Sequence, residues 1–226
     1  MGAIVNALAI VIASSLGMLV KAGIPERITK TVMAGLALSI IVMGVDGAMT
    51  TENLTLMIIS ITLGSFIGEW VDLDRRLNDF ARHLEKRLVK SEEGDSKFAE
   101  AFVTATLVVC VGSMAIIGSL QSGLQGDHTT LYIKSVLDAI FTFLLASTQG
   151  AGVVLSALAV LAYQGGIILL AGFLEPLLSD VIINEIVAVG SLMLIALGLN
   201  MLDITKIRVM NMVPAMLIPA VVLSFL

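Results

Sequence analysis

LYIKSVLDAIFTFLLAST, residues 131–148, is the stretch whose reading decides the fold. It is apolar apart from a few hydroxyls and two charges one helical turn apart, Lys134 and Asp138. Read as a membrane span, it sets the direction of everything after it. Read as a loop, it reverses that direction.

The surrounding chain favours the span. Apolar residues make up 58% of the 226, charged residues only 14%, with a net charge of −5. A water-soluble domain is nearer half apolar and a quarter charged. Too little charge remains to cover a water-facing surface. Disorder, collagen, nucleic-acid binding and a disulfide scaffold are excluded together, and the lone Cys110 cannot close an internal bridge. The lipid bilayer is the expected partner. A helix needs about 20 apolar residues to cross a core of about 30 Å. Eight segments qualify, at 3–20, 31–49, 54–71, 98–120, 131–148, 152–173, 181–202 and 207–225. The expectation is one all-α membrane domain over residues 1–226.

With eight spans and the N-terminus outside, the inner loops are 21–30, 72–97, 149–151 and 203–206. They and their flanks hold twelve of the thirteen Lys and Arg residues; only Lys134 falls on the outer side. The proposed outer segments are acidic, with Asp46, Glu52, Asp127, Glu175, Asp180 and Glu185. That is the positive-inside pattern. Omitting the fifth span would put Lys206 and Arg208 outside. No basic region precedes the first apolar run, so no signal peptide is expected. These features predict a multi-pass protein of the bacterial inner (plasma) membrane with both termini outside. The apolar runs do not alternate, which excludes an outer-membrane barrel.

An internal repeat is expected. Ala7-Leu8-Ala9-Ile10 recurs as Ala157-Leu158-Ala159-Val160, Pro25 as Pro176, Gly35 as Gly190, and Gly44-Val45-Asp46 as Gly198-Leu199-Asn200. Spans one to three then recur as six to eight, five spans apart. An odd separation makes the two copies inverted, a plan that suits alternating access around a midplane site.

Ionisable groups inside a bilayer usually face a bundle interior or a wet cavity. Asp138 either binds or relays a cation or proton with Lys134 as counter-charge, or the two neutralise each other and pin the helix. Gln164 lies near the same depth, followed by Gly165 and Gly166, and Ser14-Ser15 takes its place in the repeat. These are either site residues or interhelical hydrogen bonds. Asp46 and Asn200 either line opposite vestibules or cap their helices. Asn211 precedes Pro214 and Pro219, so the last span is either a broken helix offering carbonyls or a kinked one. The run 118–128 is a loop, re-entrant or exposed. Gly64 and Gly68 form a GxxxG packing face, and Met212 and Met216 read as packing rather than copper ligands. His83 and His128 lie on opposite sides, so no metal site and no Ser–His pair is expected. Neither HExxH nor GxSxG occurs, so neither an enzyme nor a cofactor is expected.

Residues 72–97 read as a cytoplasmic linker. Leu73, Leu77, Phe80, Leu84 and Leu88 make one stripe among basic residues, an amphipathic helix for the anionic inner leaflet or for a second copy of the chain.

Pro25-Glu26-Arg27, Gly64 to Glu69, Gly126-Asp127-His128, Lys134-Ser135 with Asp138, and Asn211-Met212-Val213-Pro214-Ala215 occur in that order. The whole chain thereby resembles the YqgA/YdfK-type bacterial inner-membrane proteins. The resemblance implies a multi-spanning protein with a domain of unknown function. It brings no substrate and no assigned residues.

The reading that follows is a transporter or channel-like permease for a small ion or solute. Asp138 is its centre, with Lys134, Gln164, Ser14, Ser15 and Asn211 in support and a homo-oligomer compatible with it. The alternative is a non-transporting scaffold or regulator that works through residues 72–97.

Overall fold

The computed structural model describes residues 1–21, 25–77, 79 and 96–224, and among them helices occur and no strand. The long helices are α1 (Gly2–Lys21), α2 (Glu26–Ala48), α3 (Leu54–Val71), α4 (Ser96–Cys110), α5 (Ser113–Leu124), α6 (Thr129–Gln149), α7 (Ser156–Leu169) and α8 (Asp180–Met201). A 3-10 segment, Ala151–Leu155, leads into α7, and another, Val209–Leu217, leads into α9 (Ile218–Leu223). The protein is an all-α membrane protein.

Among the described residues six helical stretches are long and apolar enough to cross a bilayer: Gly2–Val20, Arg27–Ala48, Leu54–Val71, Thr129–Gln149, Ala151–Leu169 and Asp180–Met201. The fourth expected span, 98–120, differs from its reading. It is two helices, α4 and α5, bent by 63° at a break. Gly112 sits in the break with φ of +140°, a conformation that L side chains rarely adopt. Taken as one bent span, the pair would bring the count to seven. The last expected span is the shorter apolar stretch Val209–Leu223. Pro214 lies inside its 3-10 part and Pro219 at the start of α9. A 3-10 helix rises about 2.0 Å per residue, so this stretch reaches about 27 Å despite its length.

The contacts fix the directions. Gly2 lies against Leu131, and Gly17 against the Phe143 carbonyl and Ala146, so α1 and α6 run parallel. Parallel packing requires an even number of reversals between them, as a single crossing by α4 and α5 supplies. α2 and α8 run antiparallel and meet reciprocally: Gly44 lies against Ile195 and Ser191, Gly198 against Ile41 and Ala37. The offset of 154 that carries Gly44 onto Gly198 also carries Ile41 onto Ile195 and Ala37 onto Ser191. The GxxxG face of α3 packs as its spacing suggests. Gly64 meets the backbone of Ala215, and Gly68 meets the Asn211 carbonyl.

α8 is the axis of the bundle. Its span is 78% buried, against 22–44% for the other five. Leu194, Leu197 and Met193 of α8 pack with Ile40, Leu107, Val108 and Val209 in the main apolar cluster. The outer faces are apolar and exposed, as a lipid-solvated surface requires: Leu19, Phe66, Trp70, Leu169 and Phe173 are each 70% exposed or more.

The ends of α3, α4 and α8 share one side of the molecule with Arg208, which bonds Glu69 of α3 at 2.8 Å; this is the basic end. Glu185 at the opposite end is almost fully buried. Its carboxylate accepts from the Thr51 hydroxyl at 2.7 Å and from the Glu52 and Asn53 amides at 2.9 and 3.1 Å. It thereby fastens the α2–α3 turn to α8. The amphipathic stripe Leu73–Leu88 falls mainly outside the described residues. Its first part, 73–77, is helical, and Leu77 packs on Phe98, Phe102 and Leu155.

A Cβ on Gly68 would collide with the Asn211 carbonyl, whereas one on Gly35 meets nothing within 4 Å. Gly68→Ala is expected to destabilise by about 1–3 kcal/mol. Gly35→Ala is expected to stabilise slightly. Thermal unfolding of the purified variants in detergent measures both.

Candidate functional site

α6 turns one stripe inward: Leu131, Lys134, Ser135, Asp138, Thr142, Leu145 and Ala146 are all buried. The spacing of three and four residues puts them on one face. Two of these polar groups need nothing from other helices. Ser135 donates to the Leu131 carbonyl and Thr142 to the Asp138 carbonyl, both at 2.7 Å.

The charged pair is different. Lys134 Nζ lies 2.7 Å from Asp138 Oδ1 and 2.8 Å from Oδ2. The two side chains are 8% and 7% exposed. Asn6 of α1 donates through Nδ2 to Asp138 Oδ2 at 2.8 Å and to Gln164 Oε1 of α7 at 3.3 Å. Asn6 and Gln164 are fully buried. Three helices thus meet at one polar network inside an apolar bundle. Asp138 lies half-way along α6, and Asn6 lies about one turn inside the start of α1, so the network leans from mid-span toward the end opposite the basic one. The break between α4 and α5 flanks it: Val109 and Cys110 pack with Ala7 and Ile10 of α1 and with Ala157 and Val160 of α7.

Asp138, Lys134 and Gln164 are therefore brought together as the sequence suggested. Asn6 was not expected. A single Asn near a helix start reads as interfacial; its only signal is the repeat, where the offset joining Ala7 to Ala157 places it on the buried Ser156.

The other site candidates lie elsewhere. Ser14 is buried, yet its hydroxyl donates to the Ile10 carbonyl of its own helix. Ser15 is half-buried and makes no side-chain hydrogen bond to the network. Asn211 is at the basic end. Its Oδ1 accepts from the Asp74 amide at 2.7 Å and its Nδ2 donates to Glu69. It follows Arg208 by three residues, which keeps it at that end, away from Asp138. Asp46 is exposed at the end of α2. Asn200 bonds the chain turn after α8, donating to the Ile207 carbonyl and accepting from Thr205 and the Ile207 amide.

Asn200 also lines a cavity of about 540 Å³ at the basic end, with Glu100, Thr104, Asp203, Lys206 and Arg208. A neighbouring cavity of about 450 Å³ shares Glu100, Asn200 and Asp203 with it. Thr104 Oγ1 and Gln149 Oε1, on these walls, are buried without a hydrogen-bond partner among the described residues.

Two local readings are corrected. Residues 118–124 belong to α5, so the expected loop shortens to 125–128. Ser122 Oγ lies 2.8 Å from His128 Nδ1, a Ser–His contact the sequence reading excluded. Together with the Thr130–Gln121 bond at 2.7 Å it closes the α5–α6 turn. At the same turn the Thr129 amide bonds Asp127, and this holds the Asp127 carboxyl below its usual range. Among the described residues no cluster of His, Cys, Asp or Glu is fit to hold a metal ion.

The family described as "Protein of unknown function (DUF554)" matches residues 1–224. This chain belongs to that family. It is similar to the uncharacterized membrane protein YdfK of Bacillus subtilis (strain 168), 32% identical over 98% of this chain and 95% of that one. It is also similar to the uncharacterized protein YqgA of Escherichia coli (strain K12), 27% identical over 96% and 93%. No solved structure matches significantly. Like YdfK, this DUF554 chain is a membrane protein.

Removing one charge of the network leaves the other buried alone, a loss of about 3–5 kcal/mol, whereas apolar replacement of both is often neutral or better. Asp138→Asn is expected to lower the melting temperature sharply. The double variant Lys134→Met with Asp138→Leu is expected to recover most of it, and differential scanning fluorimetry in detergent reads both.

Proposed function

We propose that the protein is a transporter or channel-like permease for a small ion or solute, with its polar site at Asp138. The observation that carries this is the four-residue network drawn from α1, α6 and α7. Dehydrating two ions costs several kcal/mol each. Packing three apolar helices does not call for charges. Buried ionisable groups in membrane helices usually mark pathways. The flanking break between α4 and α5 adds support, because discontinuous helices are how many transporters free backbone groups beside a site.

The pairing of helices supports an inverted-repeat mechanism. α2 packs on α8, α3 on the 209–217 segment, and α1 on α7, each antiparallel, so every helix of the first set lies against its proposed counterpart. The reciprocal glycine contacts of α2 and α8 are what a two-fold axis between them would give. Exchange of the two halves' conformations then opens Asp138 to one side and the other. In this reading all eight segments cross, the basic end faces the cytoplasm of a bacterium by the positive-inside rule, and the basic-end cavities are the inner vestibule.

Proteoliposomes holding wild-type protein should pass at least one member of a panel of small ions and uncharged solutes. The charge-balanced double variant Lys134→Met with Asp138→Leu, reconstituted equally well, should fall to the level of protein-free vesicles. Equal passage by both proteins would refute the assignment of the pathway to Asp138.

A further inference from the structure

The order of hydrogen bonds in the network says what kind of solute it suits. An ionised carboxylate only accepts. Asn6 must therefore turn its Nδ2, not its Oδ1, toward Asp138 Oδ2, at 2.8 Å. The second proton of that amide goes to Gln164 at 3.3 Å, so Gln164 must offer its Oε1. Both amide orientations follow from the charge on Asp138 and neither is free to flip. What remains is Asn6 Oδ1, an acceptor, and Gln164 Nε2, a donor. Both residues are fully buried, and neither atom has a partner among the described residues.

The charges at the site already cancel. Lys134 holds both oxygens of Asp138, at 2.7 and 2.8 Å. An entering cation would meet the Lys134 ammonium and add uncompensated charge to an apolar core. An anion would meet the Asp138 carboxylate with the same penalty. An apolar solute would leave both amide atoms unbonded, which is also costly. A neutral molecule with a donor beside an acceptor satisfies both atoms and leaves the charge balance intact.

We infer that the network binds a small uncharged solute carrying a hydrogen-bond donor beside an acceptor, the chemistry of amides and polyols. This rests on the transport reading and narrows its solute. Asn6 Oδ1 accepts from the solute and Gln164 Nε2 donates to it. Lys134 and Asp138 set the amide orientations without touching the solute and are positioning residues.

The test is stopped-flow light scattering of proteoliposomes under urea and glycerol gradients, beside tracer flux of sodium, potassium and chloride. Urea separates an amide site from a hydroxyl one, which glycerol reports. Wild-type vesicles should pass at least one of the two about tenfold faster than protein-free vesicles, with all three ions at background. Gln164→Met keeps the shape of the side chain and the Asn6–Asp138 bond. It should slow that passage about tenfold, the worth of one hydrogen bond. Ion passage without urea or glycerol passage would overturn the inference and leave transport standing. No passage of anything would overturn both. Unchanged passage by Gln164→Met would overturn the inference, and if that variant is not monodisperse the wild-type panel alone decides.

Discussion

Charge balance in a medium that does not solvate ions is the constraint on which this structure rests. Lys134 and Asp138 are i and i+4 on α6, and each is buried only because the other is there. Lys before Asp is the weaker order for such a pair within one helix. The contact with Asn6 of α1 supplies what the single helix lacks. From that point the arrangement propagates: the carboxylate orients Asn6, Asn6 orients Gln164, and α1 and α7 are held against α6. Small residues let the helices approach that closely, as at Gly2 and Gly17 of α1.

The remainder of the bundle is built by apolar packing around α8. The two regimes are spatially distinct. Leu194, Leu197 and Met193 sit among aliphatic side chains with no polar partner to satisfy. Glu185, on the same helix, is buried because the α2–α3 turn offers it two amides and a hydroxyl. A carboxylate at a helix start ordinarily reads as exposed and favourable to the helix dipole. Here it serves as the anchor of a neighbouring turn, which no local pattern announces.

Much of the architecture was legible because lipid imposes a length on apolar runs. The six long spans follow from hydropathy, and the fifth segment is a full helix despite its two charges. The break in the fourth was not legible: Cys110-Val111-Gly112-Ser113 continues the apolar run, and only the φ of Gly112 reveals the bend. The polar network, the candidate site, was legible in part as a set of buried groups. Asp138, Lys134 and Gln164 stand out as polar groups in apolar helices. Ser14 misled because a serine in a helix can satisfy its hydroxyl on its own backbone. Asn211 lies just three residues past Arg208 at the basic end, so it bonds Glu69 and Asp74 rather than reaching Asp138. Asn6 was hidden because depth along a helix says nothing of which neighbour it meets.

The central claim is that Asp138 is ionised and paired inside the membrane, since every orientation in the network follows from it. Infrared difference spectroscopy of the protein in lipid, comparing wild type with Asp138→Asn, reports its state directly. The account expects a carboxylate band assignable to Asp138 and no protonated-carboxyl stretch that disappears on substitution. A protonated-carboxyl band lost in Asp138→Asn would mean that the residue is neutral, and the charge balance, the fixed amides and the solute class argued from them would fall together.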